Sequence, residues 1–389
     1  MRRISIESLR AGMKLSVPIR DENDNILLNR NVELTERYIH RLKELGFQSV
    51  YISDPDLMDV VVEENLSDVK RSAAVRHMKS SYRVVEDTVR EFKTESSSKI
   101  IESLQSPRIK KAFSKTNIYT NTVTIVNDIV DDVVSNAALN GLNSLKTHDN
   151  YTYQHSIDVT VTATMIGKKV QFNARQLQEL AVGCLLHDIG KIFIPKEALN
   201  KNGKLDNQEY DLMKEHPAIG YEMLRSFLPI LPTHVAYQHH EKQDGSGYPR
   251  GMSGRNKIKR PDYDKSISVL GEIAAIADVY DALTSDRPYR KAMLHDKVID
   301  ILKENAYSHF NAEILNSFLN IVPRYPVGSN CEILSGEYAG FKGVIVAIDP
   351  EQLNIPIVRL LYDIKNERIR PINVNLRKNL DTKIRLIDV

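Results

Sequence analysis

Cysteine is almost missing from this chain: among 389 residues there are only Cys184 and Cys331, far apart in sequence. A disulfide framework is not expected, and a reducing cytoplasm suits such a chain. Long apolar runs are missing as well, since no stretch approaches the roughly 18 residues of a membrane span. The opening "MRRISIESLRAGMK" is basic but lacks the apolar segment of a secretory signal. A cytoplasmic protein without membrane insertion is therefore expected. There is no excess of one charge either: the formal net charge is +2, so no global field points to a nucleic-acid polymer or an anionic membrane. What remains is an ordinary globular composition, 42% apolar and 27% charged, with length enough for two or three cores.

The texture changes along the chain. Residues 1–60 read as a small α/β unit, with short strands in "MKLSVPI" and "NILL". A helix comes next in "LTERYIHRLKELG", with Thr35 as its N-cap and Gly46 past its end, and a returning strand in "FQSVYI". Residues 61–114 read as a helical linker. Val75, Met78, Tyr82, Val85, Val89 and Phe92 form a heptad-spaced seam, which fits packing on the chain's own core or a signal-relay or homodimer helix over 65–95. "SPRIKKAFSKTN" breaks the pattern, and "IVNDIVDDVV" resumes it with Ile125, Ile129, Val133 and Ala137 on one stripe. Residues 115–322 read as a mainly α domain. Residues 323–389 turn β-rich, as a small barrel or sheet with no catalytic residue pattern.

Seven of the eleven histidines fall between positions 148 and 240. His-Asp occurs three times, but only His187-Asp188 closes an apolar helix, "LQELAVGCLLHD", with a glycine soon after in "HDIGK". Two ligand-type side chains at a buried helix C-terminus suit a cation, which the carboxylate neutralises and the helix dipole favours. "YQHHEKQDGSGYP" adds His239 and His240 at another helix end. On a regular helix neighbours diverge by about 100 degrees, so both reach one site only if it holds more than one ion or the helix distorts. Asp278 and Asp281, three residues apart after an apolar run, share a face. His155 begins a helix of apolar and small residues, and His216 precedes a proline suited to a helix start. His155, His187, Asp188, His216, His239, His240 and Asp278 exceed one tetrahedral zinc and suit two octahedral ions sharing a carboxylate. Nitrogen and oxygen donors without thiolate favour iron or manganese over magnesium. The chemistry of such a pair is in-line displacement at phosphorus.

"HDIGK" (187–191), "HHEKQDGSGYP" (239–249) and "ADVYDALTSDRPYR" (277–290), with "YTYQHS" upstream, together resemble the signatures of the HD-GYP phosphodiesterases of bacterial cyclic-di-GMP signalling, within the HD metal-dependent phosphohydrolases. The likeness spans roughly residues 115–320, and the early "L.AGMKL" pattern resembles an N-terminal extension of some members. The resemblance implies an HD-type helical domain flanked by the two small units, the seven residues above as metal ligands, and Asp188 as bridge and catalytic residue. It implies Lys191, Arg287 and Arg290 on substrate phosphates, Asp281 at a guanine edge, and Tyr248 with its loop lining the site or meeting a signalling protein. It implies hydrolysis of cyclic-di-GMP to pGpG or onward to GMP. A catalytically silent receptor, or an HD enzyme for another cyclic dinucleotide or a nucleoside phosphate, is the alternative. Members with a third ion carry a glutamate four residues before the first histidine; here that position is Tyr151, which implies two ions.

Overall fold

The computed structural model describes residues 1–21, 25–62, 64–139, 151–199, 201, 203–261, 265–286, 291–379 and 381–388. Its first core is a three-stranded sheet of β1 (Arg2–Ser5), β2 (Lys14–Leu15) and β5 (Ser49–Ser53) in the order β1-β5-β2, beside the ribbon β3 (Ile19–Arg20)–β4 (Ile26–Leu28). Helix α1 (Glu36–Glu44) begins where Thr35 accepts a hydrogen bond from Tyr38 N and ends before Gly46, whose φ of +80° suits glycine. Ile39 and Leu42 turn inward onto Ile4, Leu15 and Val50. The sequence pattern finds this unit but misses β1, whose side chains alternate between buried and half-buried.

Helix α2 (Asp68–Val89) carries the heptad seam from Val75 to Val89, while Phe92, its last expected member, lies in the turn beyond the helix. Val75, Met78, Val85 and Val89 are fully buried in the chain's main core, so that face is covered from within. Two expectations fail next. "SPRIKKAFS" does not interrupt helix formation: after α3 (Ser97–Gln105), the segment forms α4 (Pro107–Ser114), with Ser106 capping Ile109 N and Pro107 in the first turn. Along α5 (Ile118–Val134) the buried stripe is Ile118, Thr122, Val126, Ile129 and Val133. Ile125 is only half-buried and Ala137 lies exposed beyond the helix, because the inward face drifts at about 3.6 residues per turn.

Helix α6 (Tyr151–Lys169) is the axis of the molecule: from Gln154 to Gly167 every residue is buried, as expected of a helix surrounded on all sides. It packs against α7 (Ala174–Leu185). The short α8 (Lys196–Leu199) and α9 (Asn207–Met213) lead to α10 (His216–Leu224), with Pro217 in its first turn, and to α11 (Ile230–Gln238). Helix α12 (Val269–Thr284) closes the other side of α6, and α13 (His295–Glu304) and α14 (Ala312–Leu319) come after it. The tail forms a five-stranded antiparallel sheet, β10-β6-β7-β8-β9, from β6 (Asn330–Ile333), β7 (Lys342–Asp349), β8 (Gln352–Tyr362), β9 (Arg368–Asn375) and β10 (Ile384–Leu386). The mainly helical class, with an α/β unit before and a β unit after, is the one expected.

Candidate metal centre

Four helix ends deliver the histidines. Helix α7 stops at Leu185, so His187 and Asp188 lie in the turn leading into a 3-10 segment, Ile189–Phe193. Gly190 is required there: a side chain would collide with the backbone of His216 and Gly220. Helix α11 stops at Gln238, which releases His239 and His240 from helical divergence, and their ring centres lie 4.1 Å apart. His155 comes from the first part of α6, His216 from the start of α10, and Asp278 from α12. Two clusters result, His155/His187/Asp188 and His216/His239/His240, each with its ligand atoms within 4.8 Å of one another.

Asp188 stands between them. Its Oδ2 lies 3.5 Å from His187 Nε2 and 3.7 Å from His155 Nε2, while Oδ1 lies 3.3 Å from His216 Nε2 and 3.9 Å from His239 Nε2. Asp278 also joins the groups, with Oδ1 3.1 Å from His155 Nε2 and Oδ2 3.9 Å from His240 Nδ1. All seven expected ligands therefore face one another.

Outer contacts set the ring tautomers. Nδ1 donates to a backbone carbonyl in His187 (Cys184 O, 2.7 Å), His216 (Met213 O, 2.6 Å) and His239 (Ala236 O, 2.9 Å). A carbonyl can only accept, so the proton sits on Nδ1 and Nε2 presents its lone pair to the cluster. Protonation states agree. Burial lowers the pKa of His187, takes that of His239 well down, and pushes that of His240 to about 3, leaving neutral imidazoles. Burial alone would raise the carboxyls. Instead the Lys191 ammonium, 2.5 Å from Asp188 Oδ2, helps hold Asp188, and the hydrogen bond and charge of His155 hold Asp278, well below the usual carboxylate range. His155 is the exception: burial opposes its proton, but Asp278 and Asp281 outweigh burial and raise it to about 8.

Within the cluster, His187 Nε2 and Asp188 Oδ1 are buried without a hydrogen-bond partner among the described residues. Orphaned buried acceptors cost free energy unless a cation or donor meets them. Neutral imidazoles, ionised carboxylates and inward lone pairs fit divalent metal. Burial pushes the neighbouring Cys184 thiol up, so it stays protonated and gives no thiolate.

The remaining expected residues divide. Lys191 Nζ bonds Asp188 Oδ2 at 2.5 Å and is about one quarter exposed, at the edge of the cluster. Tyr248 lies with its ring centre 4.7 Å from that of His240, and burial pushes its phenol up, so it remains a donor. Asp281 corrects the expectation of a guanine contact. It is 1% exposed and accepts from His155 Nδ1 at 2.6 Å, behind the ligand rather than in front of it. Its three-residue spacing from Asp278 puts both carboxylates on the same imidazole, one at each nitrogen. Arg287 and Arg290 lie outside the described residues.

Sequence reasoning passed over two supports. Glu241, 2% exposed, accepts from Arg250 N at 2.8 Å and Met252 N at 2.7 Å, which shapes the loop after His240. A carboxylate ahead of a glycine-rich turn was the available signal, since such turns leave N–H groups to satisfy. Asp158, one turn past His155, pairs with Arg71 of α2 at 2.6 Å, both buried; nothing local in the sequence marks a pair 87 residues apart.

Comparison with known proteins agrees with this chemistry. Residues 132–314 match the HD domain family model, and residues 327–359 match the KOW motif. A cyclic di-GMP phosphodiesterase of Pseudomonas aeruginosa is 34% identical over 232 residues, 59% of this chain and 52% of that one. A cyclic di-GMP phosphodiesterase of Vibrio cholerae is 40% identical over 149 residues, 36% of this chain and 28% of that one. The 3'3'-cGAMP-specific phosphodiesterase 3 of Vibrio cholerae is 36% identical over 177 residues, 44% and 36% respectively. The chain thus spans about half or less of the length of these relatives.

Proposed function

We propose that the chain, whose residues 132–314 match the HD domain family model, is a member of the HD-GYP family and a metal-dependent phosphodiesterase that hydrolyses cyclic di-GMP to pGpG or onward to GMP. One observation carries the reading: each oxygen of Asp188 faces its own set of histidine Nε2 atoms, the arrangement of a carboxylate shared between two ions. His155, His187, His216, His239, His240, Asp188 and Asp278 hold two divalent transition ions. A donor set of nitrogen and carboxylate oxygen favours iron or manganese. When bound, such ions supply Lewis acidity and an activated water for in-line attack at phosphorus.

The chain's own residues do the rest. Lys191, at the cluster edge, places its ammonium on a non-bridging phosphate oxygen and offsets charge that grows in the transition state. Arg287 and Arg290 grip the phosphates. Tyr248 donates its phenolic proton at the mouth of the site. Asp281 fixes the His155 ring.

The test is chromatography of products after Mn²⁺-loaded protein meets cyclic di-GMP and, separately, 3'3'-cGAMP, the substrate in the name of one relative. Faster turnover of cyclic di-GMP supports the reading. Preference for 3'3'-cGAMP reassigns the substrate, and tight binding without product makes the chain a receptor.

A further inference from the structure

Two sets of hydrogen bonds, joined by the peptide between Ser285 and Asp286, lead from the N-terminal sheet to the histidine cluster. Arg3, on β1, donates from Nη2 to Asp286 Oδ2 at 2.7 Å and from Nε to Ser49 Oγ at 2.7 Å. Ser49, on β5, donates from Oγ to the same Asp286 oxygen at 3.0 Å. The other oxygen of Asp286 accepts from Ala292 N at 2.8 Å, so one carboxylate ties the sheet to residues on both sides of the segment after α12. Next to Asp286, Ser285 donates from Oγ to Asp281 Oδ1 at 3.0 Å, and Asp281 Oδ2 accepts from His155 Nδ1 at 2.6 Å. The C-terminal sheet joins in, where Asn330 Nδ2 donates to the Arg3 carbonyl at 2.8 Å.

Asp281 sits in the last turn of α12, where carbonyls lack helical partners and the backbone frays most readily. The residues just past the helix end therefore govern how firmly Asp281 is held. Besides the cap bond from Ser285 N to Asp281 O, 3.0 Å, two tethers act there: the backbone bond from Met293 N to Leu283 O, 2.9 Å, and the Arg3–Ser49–Asp286 clasp. The side chains of Arg3 and Asp286 are only 28% and 16% exposed, and an ion pair so sheltered, with a shared hydroxyl, is directional.

We propose that Arg3 and Ser49 are positioning residues for the metal centre: by clasping Asp286 they fix the end of α12, and with it Asp281 and the ring of His155. The N-terminal unit thereby becomes part of the site's framework, and disturbance of its sheet weakens metal binding. This rests on the cluster being a metal site, not on the substrate it serves.

The experiment measures Mn²⁺ affinity of the full chain by competition with an indicator chelator. Arg3→Gln should bind about threefold to tenfold more weakly, and Arg3→Lys should recover part of the loss. Asp281→Asn, nearer the ligand, should lose about tenfold to a hundredfold. Arg3→Gln added to Asp286→Asn should cost nothing further, since both break one clasp. By reciprocity, Mn²⁺ should slow amide exchange in β1 and β5 of the wild type but not of Arg3→Gln. Circular dichroism of the metal-free variants checks folding, and Ser49→Ala, the milder change, carries the test if Arg3→Gln does not fold. Unchanged Mn²⁺ affinity in a folded variant, or full additivity with Asp286→Asn, overturns the proposal. Failure of the phosphodiesterase reading shows separately, as a wild type that binds Mn²⁺ but leaves cyclic di-GMP intact.

Discussion

Metal and proton compete for one atom, Nε2 of His155. In the metal-free site this ring lies between Asp278 at Nε2 and Asp281 at Nδ1, and its pKa is raised to about 8. A ligand must present a lone pair, so an ion at Nε2 displaces a proton while Nδ1–H stays on Asp281. Below the raised pKa the proton opposes metal, and affinity climbs as pH rises until the ring is neutral. Burial lowers the pKa of His187, takes that of His239 well down and pushes that of His240 to about 3, so these rings shift away from the protonated form while His155 shifts towards it. For one proton with a pKa of about 8, affinity should rise about 50-fold between pH 6 and pH 8 and then level off. The assay is Mn²⁺ titration calorimetry near pH 6.5 in buffers of different ionisation enthalpy, which counts protons released. About one proton is expected. Asp281→Asn, which removes one carboxylate from the ring, should move the plateau to lower pH. A flat affinity from pH 6 to pH 8, or no released proton, refutes the reasoning.

Asp188→Ala should abolish the proposed phosphodiesterase activity in a folded protein, since it removes the carboxylate shared by both histidine groups; retention of more than about a tenth of wild-type turnover contradicts a two-ion site. Lys191→Ala should keep the metal content while the rate falls about 10- to 1000-fold, and parallel loss of metal would make Lys191 structural. Gly190→Ala forces a methyl onto the backbone of His216 and Gly220, neither of which can yield without moving α10. A loss of about 3 kcal/mol in urea unfolding is expected, and a neutral result would mean the turn relaxes freely.

Ligands were legible because their chemistry conflicts with their surroundings: His187 and Asp188 end an apolar helix, and a core tolerates them only with a partner. Pro217 and Thr35 were legible because helix starts have local signatures. The α4 segment was not, since its proline opens a helix rather than ending one, and only Ser106 before it gave a cue. The role of Asp281 escaped for another reason. Spacing shows that two carboxylates share a face, but not that one imidazole of a distant helix fits between them. The Arg71–Asp158 and Arg3–Asp286 pairs, 87 and 283 residues apart, are set by tertiary packing alone.

The number of ions is the remaining prediction, and charge as well as donor count decides it. Asp188, Asp278 and Asp281 bring three carboxylates into the cluster, while Lys191 brings one fixed positive charge. Once His155 has given up its proton, two negative charges are left over in a buried setting. One divalent ion neutralises them. A second leaves the occupied site positive, which suits a substrate whose phosphodiester is anionic and leaves each group of histidines with an ion of its own. A third would add positive charge with no further carboxylate to meet it. Tyr151 occupies the position four residues before His155, and a phenol with an ordinary pKa of about 10 is a poor anionic ligand near neutrality. Asp158 is committed to Arg71. Two ions per chain are therefore expected from metal quantification of anaerobically purified protein, and Tyr151→Glu, one helical turn from His155, should admit another. Three tightly bound ions in the wild type would show that some donor outside these seven completes a site, and would overturn the charge argument with it.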